Sequence, residues 1–170
     1  MSIIIGIGGV SRAGKSMLAD EISLLFPASS VRIIHQDNYP LPVENIPKLH
    51  GRLNWEVPES LDIQHMLKDI RDAVQNFQYV IVEGLFAFAY PDILALYHVG
   101  FEIRIREDCY YRRKVSDNRW GHEPEWYKKH IWEAHFSYRI ENNQSFAVHI
   151  LDGEKPFDPR FLRKALAIGK

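Results

Sequence analysis

One octapeptide limits what this chain can fold into. Gly9-Val10-Ser11-Arg12-Ala13-Gly14-Lys15-Ser16 is a complete G-x-x-x-x-G-K-[ST] match, preceded by an apolar run and followed by apolar residues at helical spacing. A strand, a glycine-rich turn and a helix in that order wind backbone N–H groups around an anion and set the positive end of the helix beneath it. The residue types then take roles. Lys15 neutralises the β/γ-phosphates of a nucleotide and the Ser16 hydroxyl ligates Mg²⁺, while Gly9, Ser11, Arg12, Ala13, Gly14 and Met17 complete an ATP-binding loop and first helical turn. The competing reading is a glycine-rich strand-to-helix turn with a solvated lysine, and the combination of motif and context weighs against it.

The rest of the chain has the rhythm of alternating strands and helices. Short β-branched or aromatic runs at 3–7, 31–35, 79–82, 99–105 and 147–151 read as five strands. Helical spacing of apolar residues places helices at 15–26, 60–76, 107–119, 124–144 and 158–168. Strands separated by helices pair in parallel through right-handed crossovers, which makes the fold class α/β. Residues 36–59, punctuated by Pro40, Pro42, Pro47 and Pro58, follow neither periodicity and read as a long functional loop. Neither a repeat nor a linker divides the 170 residues, so a single domain is expected.

Open parallel sheets bind ligands at the carboxyl ends of their strands. Two acids fall there: Asp37 after the second strand, in Gln36-Asp37-Asn38-Tyr39, and Glu83 at the end of the third, in Val82-Glu83-Gly84. Asp37 is assigned as the base that takes a proton from an attacking hydroxyl, with Glu83 in the metal shell and Asp37 also within the metal's reach. A second set of charges, Arg104, Arg106, Arg112, Arg113, Lys114 and Arg119, lies in one window and suits a lid over the phosphates. Its plain alternative is a solvated helix paired with Glu107, Asp108 and Asp117.

Composition bounds the partners. Lys plus Arg number 21 against 22 Asp plus Glu, a formal charge of −1, so the overall field favours neither nucleic acid nor an anionic membrane. The apolar start lacks a basic flank, and no run has the length a membrane helix needs, which leads us to expect a soluble chain. The lone Cys109 excludes an internal disulfide and fits a reducing compartment, so the cytoplasm is expected.

Gly6-Ile7-Gly8-Gly9-Val10 leading into the loop, Gln36-Asp37-Asn38-Tyr39, Val82-Glu83-Gly84, His130-Ile131-Trp132, Tyr138-Arg139 and Leu151-Asp152-Gly153 resemble the nicotinamide riboside kinase branch of the uridine kinase-like P-loop kinases. The resemblance runs from residue 3 to about 155. It implies a three-layer α/β/α domain with a five-stranded parallel sheet of order 2-3-1-4-5 and a helical lid at about 107–128. It further implies ATP and Mg²⁺ as cofactors, and γ-phosphate transfer to the 5′-hydroxyl of a ribonucleoside such as nicotinamide riboside, uridine or cytidine.

By the same resemblance Asp37, Lys15 and Arg113 are catalytic, Arg112 joins the ATP contacts, and the substrate contacts are Asp37, Tyr39, Trp55, Glu56, Glu83, Arg113 and Trp120. Trp55-Glu56 stands where relatives carry an aromatic followed by Asp, the pair that stacks on the base and holds the ribose hydroxyls. Here the acid is one methylene longer. A further lid arginine of the family falls at Ser116 or is supplied by Arg119. Other functions left open are a kinase for another small alcohol, such as a sugar or vitamin precursor, and a non-catalytic nucleotide-binding module. The molecule is expected to act as a monomer or homodimer.

Overall fold

The computed structural model describes residues 2–116, 123–140 and 145–167. In chain order the elements are β1 (Ile3–Gly9), α1 (Lys15–Ser23), β2 (Val31–His35), β3 (Lys48–Leu49), β4 (Arg52–Leu53), α2 (Ile63–Asn76), β5 (Tyr79–Glu83), α3 (Pro91–Leu94), β6 (Val99–Arg104), α4 (Glu107–Val115), α5 (Glu125–Ala134), β7 (Ala147–Asp152) and α6 (Pro159–Ala165). The main sheet is parallel throughout, in the order β2-β5-β1-β6-β7. Setting the short hairpin β3/β4 aside, this is the 2-3-1-4-5 order the resemblance implied.

β1 is the centre of the sheet and is buried on both faces, which is why it reads as isoleucines and glycines with no polar alternation. Ile5 and Ile7, with Ile81 of β5, pack against Leu18 and Ile22 of α1, Tyr110 of α4, Ile131 of α5 and Leu162 of α6. Ile4, Val80 and Val82 point to the other face and meet Met66, Leu67 and Ile70 of α2. The strand period of two thus divides one sheet between two cores, giving the three layers.

The helices are shorter than their periodicity suggested. α2 begins only at Ile63, where the Asp62 carboxylate caps the His65 N–H at 3.0 Å. α4 ends at Val115, and α5 ends at Ala134 before a 3₁₀ turn over His135–Tyr138. Residues 117–122 and 141–144 lie outside the described residues. The loop 36–59 is not featureless. It holds 3₁₀ turns at Gln36–Asn38 and Val43–Asn45, and a third at Pro58–Ser60 spans its end. Between them β3 and β4 form a hairpin whose two turn residues, His50 and Gly51, have φ of 50° and 79°, as a tight turn between twisted strands requires. Too short to show a helical period, that structure is invisible to pattern reading. Among the described residues no helix is long and apolar enough to cross a membrane.

Candidate active site

The phosphate loop is fixed by its neighbours. At Gly9 φ is 146°, and a Cβ there would stand 2.5 Å from the Ile103 carbonyl oxygen, so only glycine lets β1 turn so close to β6. Gly14 caps α1 in a left-handed conformation, φ 108°, and leaves the N–H groups of the first turn, at Lys15, Ser16 and Met17, pointing toward the loop. Lys15 Nζ donates to the Val10 carbonyl at 3.1 Å, folded across the cradle it is expected to serve. Ser11 lines the adjoining cavity, Ala13 is buried beneath the loop, and the Met17 side chain is exposed beside Gly14.

Arg113 is tied down. Its guanidinium donates to the Arg12 carbonyl at 3.1 Å and to the Gly153 carbonyl at 2.8 Å, joining α4, the phosphate loop and the turn after β7. Arg112, one position earlier, is exposed. Arg104, Arg106 and Lys114 of that window are engaged elsewhere. Arg104 is paired with Glu102 at 3.1 Å, Arg106 is paired with Glu154 at 3.0 Å, and Lys114 faces the cavity interior. Strand-end and helix-start arginines found partners on β6 and after β7, which no local window reveals. Arg119 lies outside the described residues.

Glu83 ends β5 beside β1 and is almost fully buried. Its Oε1 accepts a hydrogen bond from Ser16 Oγ at 3.1 Å and stands 2.7 Å from His35 Nδ1. Sheet register explains the trio: His35 pairs with Glu83 on one side and Ile7 with Glu83 on the other. The Ser16 hydroxyl and the Glu83 carboxylate are oxygen donors, which suit Mg²⁺ rather than a softer metal. Among the described residues no three or more His, Cys, Asp or Glu side chains stand together as a cage, and a Mg²⁺ ion that takes much of its shell from phosphates and water needs none.

Beside the loop opens a cavity of about 290 Å³ whose wall includes Ser11, Lys15, Asp37, Trp55, Glu56 and Tyr127. Asp37 stands exposed on the 3₁₀ turn that follows β2. Trp55 is 38% exposed, its backbone N–H bonded to the Tyr127 hydroxyl at 3.2 Å. Glu56 is buried, and its Oε2 has no hydrogen-bond partner. Burial is the main cause that pushes its carboxyl up to about 7, with Glu123 and Asp37 adding to the effect while Lys114 and Lys15 oppose it.

Tyr39 does not join this group. Its hydroxyl donates to Asp69 at 2.9 Å and its ring packs in the core under α2, so the aromatic of the Gln36-Asp37-Asn38-Tyr39 motif is structural. Trp120, expected as a second face for the base, lies outside the described residues. Two residues of the wall, Gln36 and Glu123, carry no role in the sequence reading, and a third, Lys114, stands there instead of in a lid over the phosphates. Gln36 is buried at the cavity floor, where Oε1 accepts the Phe86 N–H at 2.7 Å and Nε2 is unpartnered. Lys114 and Glu123 form a buried pair at 2.9 Å. The available signal for Lys114 was its place four residues after the buried Tyr110, on the inner face of α4.

No family model matches the chain. It is 29% identical over 176 residues to mouse nicotinamide riboside kinase 2, covering 91% of this chain and 89% of that protein. To human nicotinamide riboside kinase 1 it is 27% identical over 180 residues, 95% and 89% of the two chains. Among solved structures, a sugar kinase from Janibacter sp. HTCC2649 superposes with a TM-score of 0.61 at 14% identity, over 99% of this chain and 96% of the other. A possible uridine kinase from Bacillus stearothermophilus superposes with a TM-score of 0.51 at 14% identity, over 86% and 88%. With its phosphate loop and its parallel sheet the chain has the fold of the P-loop kinases, and along nearly its whole length its sequence is similar to nicotinamide riboside kinases.

Proposed function

We propose that this protein is a phosphotransferase that moves the γ-phosphate of ATP to the 5′-hydroxyl of a ribonucleoside, with nicotinamide riboside the first acceptor to test and uridine or cytidine the next. The observation that carries the acceptor class is Glu56: a buried carboxylate with one oxygen unpartnered, on the wall of a cavity that also holds Asp37 and Lys15. Buried polar atoms are normally satisfied, so an orphan oxygen in a cavity marks a place for a ligand donor. Two vicinal ribose hydroxyls supply such donors, and a half-exposed Trp55 next to them offers a face for a planar base.

In this arrangement Glu56 and Trp55 hold the ribose and base so that the 5′-hydroxyl faces the phosphate loop. Asp37 accepts the hydroxyl proton as that oxygen attacks the γ-phosphorus, the bond to the bridging oxygen breaks, and ADP leaves. Lys15 leaves the Val10 carbonyl for the β/γ-phosphates, and the N–H groups opening α1 hold their oxygens. Mg²⁺, which Ser16 with Glu83 and Asp37 would hold, supplies further neutralisation of phosphate charge. The segment at about 107–128 serves as the lid, with Arg113 at its root and Arg112 on its open side. The protein acts as a monomer or homodimer on a small-molecule substrate, in the cytoplasm, where the buried thiol of Cys109 stays reduced.

The test is ADP formation with ATP and Mg²⁺ against a panel of nucleosides, free sugars and no acceptor. Turnover with a ribonucleoside supports the reading. Turnover confined to free sugars overturns the acceptor class, and ADP formation indifferent to any acceptor overturns the kinase.

Glu56 also gives a stability signature. A carboxyl raised from 4.5 to about 7 in the fold contributes its stability below about 4.5 and has lost it once the pH passes about 7, because the charged form is the one burial penalises. Glu56→Gln is therefore expected to unfold at a higher temperature than the parent at pH 8, by on the order of 3 kcal/mol of stability, while its nucleoside KM rises about tenfold or more. Thermal melts at pH 5 and pH 8 check it, the gain being confined to the higher pH.

A further inference from the structure

Lys114 is the last inward-facing residue of α4, and its side chain is almost fully buried. Its Nζ lies 2.9 Å from Oε2 of Glu123, itself buried, and both residues share the cavity wall with Glu56. The cavity thus sets two buried carboxylates against one buried ammonium. Replacing a buried ion pair with apolar side chains is often neutral or stabilising, so stability alone does not account for charge at a cavity wall.

We propose that Lys114, clamped by Glu123, is a positioning residue for the acceptor: its ammonium holds the Glu56 carboxylate in the charged form that grips the vicinal hydroxyls of the ribose. The inference rests on the ribonucleoside reading of the cavity. The titratable groups around Glu56 are Lys15 on α1, Asp37 after β2, Arg52 on β4, Lys114 on α4 and Glu123 before α5, with the phenols of Tyr110, Tyr127 and Tyr138. Lys15 and Asp37 belong to the phosphate end, where ATP and metal add further charge. Lys114 is the almost fully buried cation on the same cavity wall as Glu56, and its charge favours the ionised carboxyl. A carboxylate accepts two hydroxyl hydrogen bonds with the strength of a charge-assisted pair, whereas a protonated acid does so weakly and competes as a donor. Asn54 fixes the site from behind: its Oδ1 accepts the Glu56 N–H at 3.2 Å and stands 3.0 Å from His130 Nε2.

The experiment compares the parent with K114M, K114R and K114M/E123Q. Nucleoside KM, ATP KM and kcat are measured against pH, first with the best ribonucleoside from the panel and then with its 2′,3′-dideoxy analogue. Expected for K114M is a nucleoside KM raised about tenfold with ATP KM and kcat little changed, and an acidic limb of kcat/KM for the nucleoside moved up by about one pH unit. K114R restores most of the loss. The dideoxy analogue, which has no hydroxyl pair for Glu56 to hold, is used equally poorly by parent and K114M.

Should K114M fail to fold, K114M/E123Q removes the stranded acid with it, and the nucleoside KM is still expected to rise, since the buried ammonium is gone from the wall around Glu56. The Glu56 carboxyl is also titrated directly by carbon NMR of labelled glutamate in parent and variant, with no substrate present. A midpoint that does not rise on loss of Lys114 overturns the inference even if the parent phosphorylates nucleosides. A midpoint that rises while no ribonucleoside is turned over leaves the electrostatic link standing and sinks the acceptor assignment instead. Equal losses on the ribo and dideoxy acceptors also overturn it.

Discussion

Asp37→Asn is expected to bind ATP with nearly the parent's affinity and to transfer phosphate about a thousandfold more slowly, the scale of a lost general base. The substitution keeps the side chain's size and its place on the 3₁₀ turn, where the Tyr39 N–H bonds the Gln36 carbonyl at 3.0 Å. What it removes is the capacity to take a proton. Asp37 lines the same cavity as Glu56 and Lys15, so a hydroxyl held there has both the phosphate and the base in reach. Steady-state kcat measured beside ATP KM separates the two roles, and a variant that retains most of the parent's kcat would show that another group accepts the proton.

The second large effect is on the cavity floor. A Cβ added at Gly84 would stand 2.1 Å from Gln36 Oε1 and 2.4 Å from Gln36 Cβ. Gln36 has no room to yield, since it is buried and its Oε1 holds the Phe86 N–H. Gly84→Ala therefore forces the turn after β5 apart, breaks that hydrogen bond and strands a buried N–H, for a loss of about 3 kcal/mol. For a chain of this size that lowers Tm by roughly 6 to 12 °C. Asp37 is the next residue after Gln36, so activity is expected to fall by more than the population of unfolded protein explains. A variant that melts with the parent would show that Gln36 relaxes freely.

Local order in the sequence made the phosphate loop legible, because every residue of the cradle sits within eight positions and each type has one physical job. Asp37 and Glu83 were legible for a related reason: each closes a short apolar strand, and parallel pairing brings strand ends together. The cations were not. Arg106 meets Glu154 from 48 positions away, and Lys114 meets Glu123 across nine, so which charge is neutralised and which faces the cavity depends on tertiary partners. Tyr39 failed in the same way, since the residue that claims its hydroxyl, Asp69, stands on α2, 30 positions further along. Helix ends were overrun because capping by Asp62 and 3₁₀ turns override apolar spacing at the termini.

Adjacent residues of α4 reach two different places, the phosphate loop and the cavity wall. Arg113 grips the carbonyls of Arg12 and Gly153, while Lys114 stands in the wall around Glu56. On the proposed reading, whatever shifts that helical turn when one substrate arrives shifts the surroundings of the other, so the affinities for donor and acceptor are expected to be linked, each altering the other by the same factor.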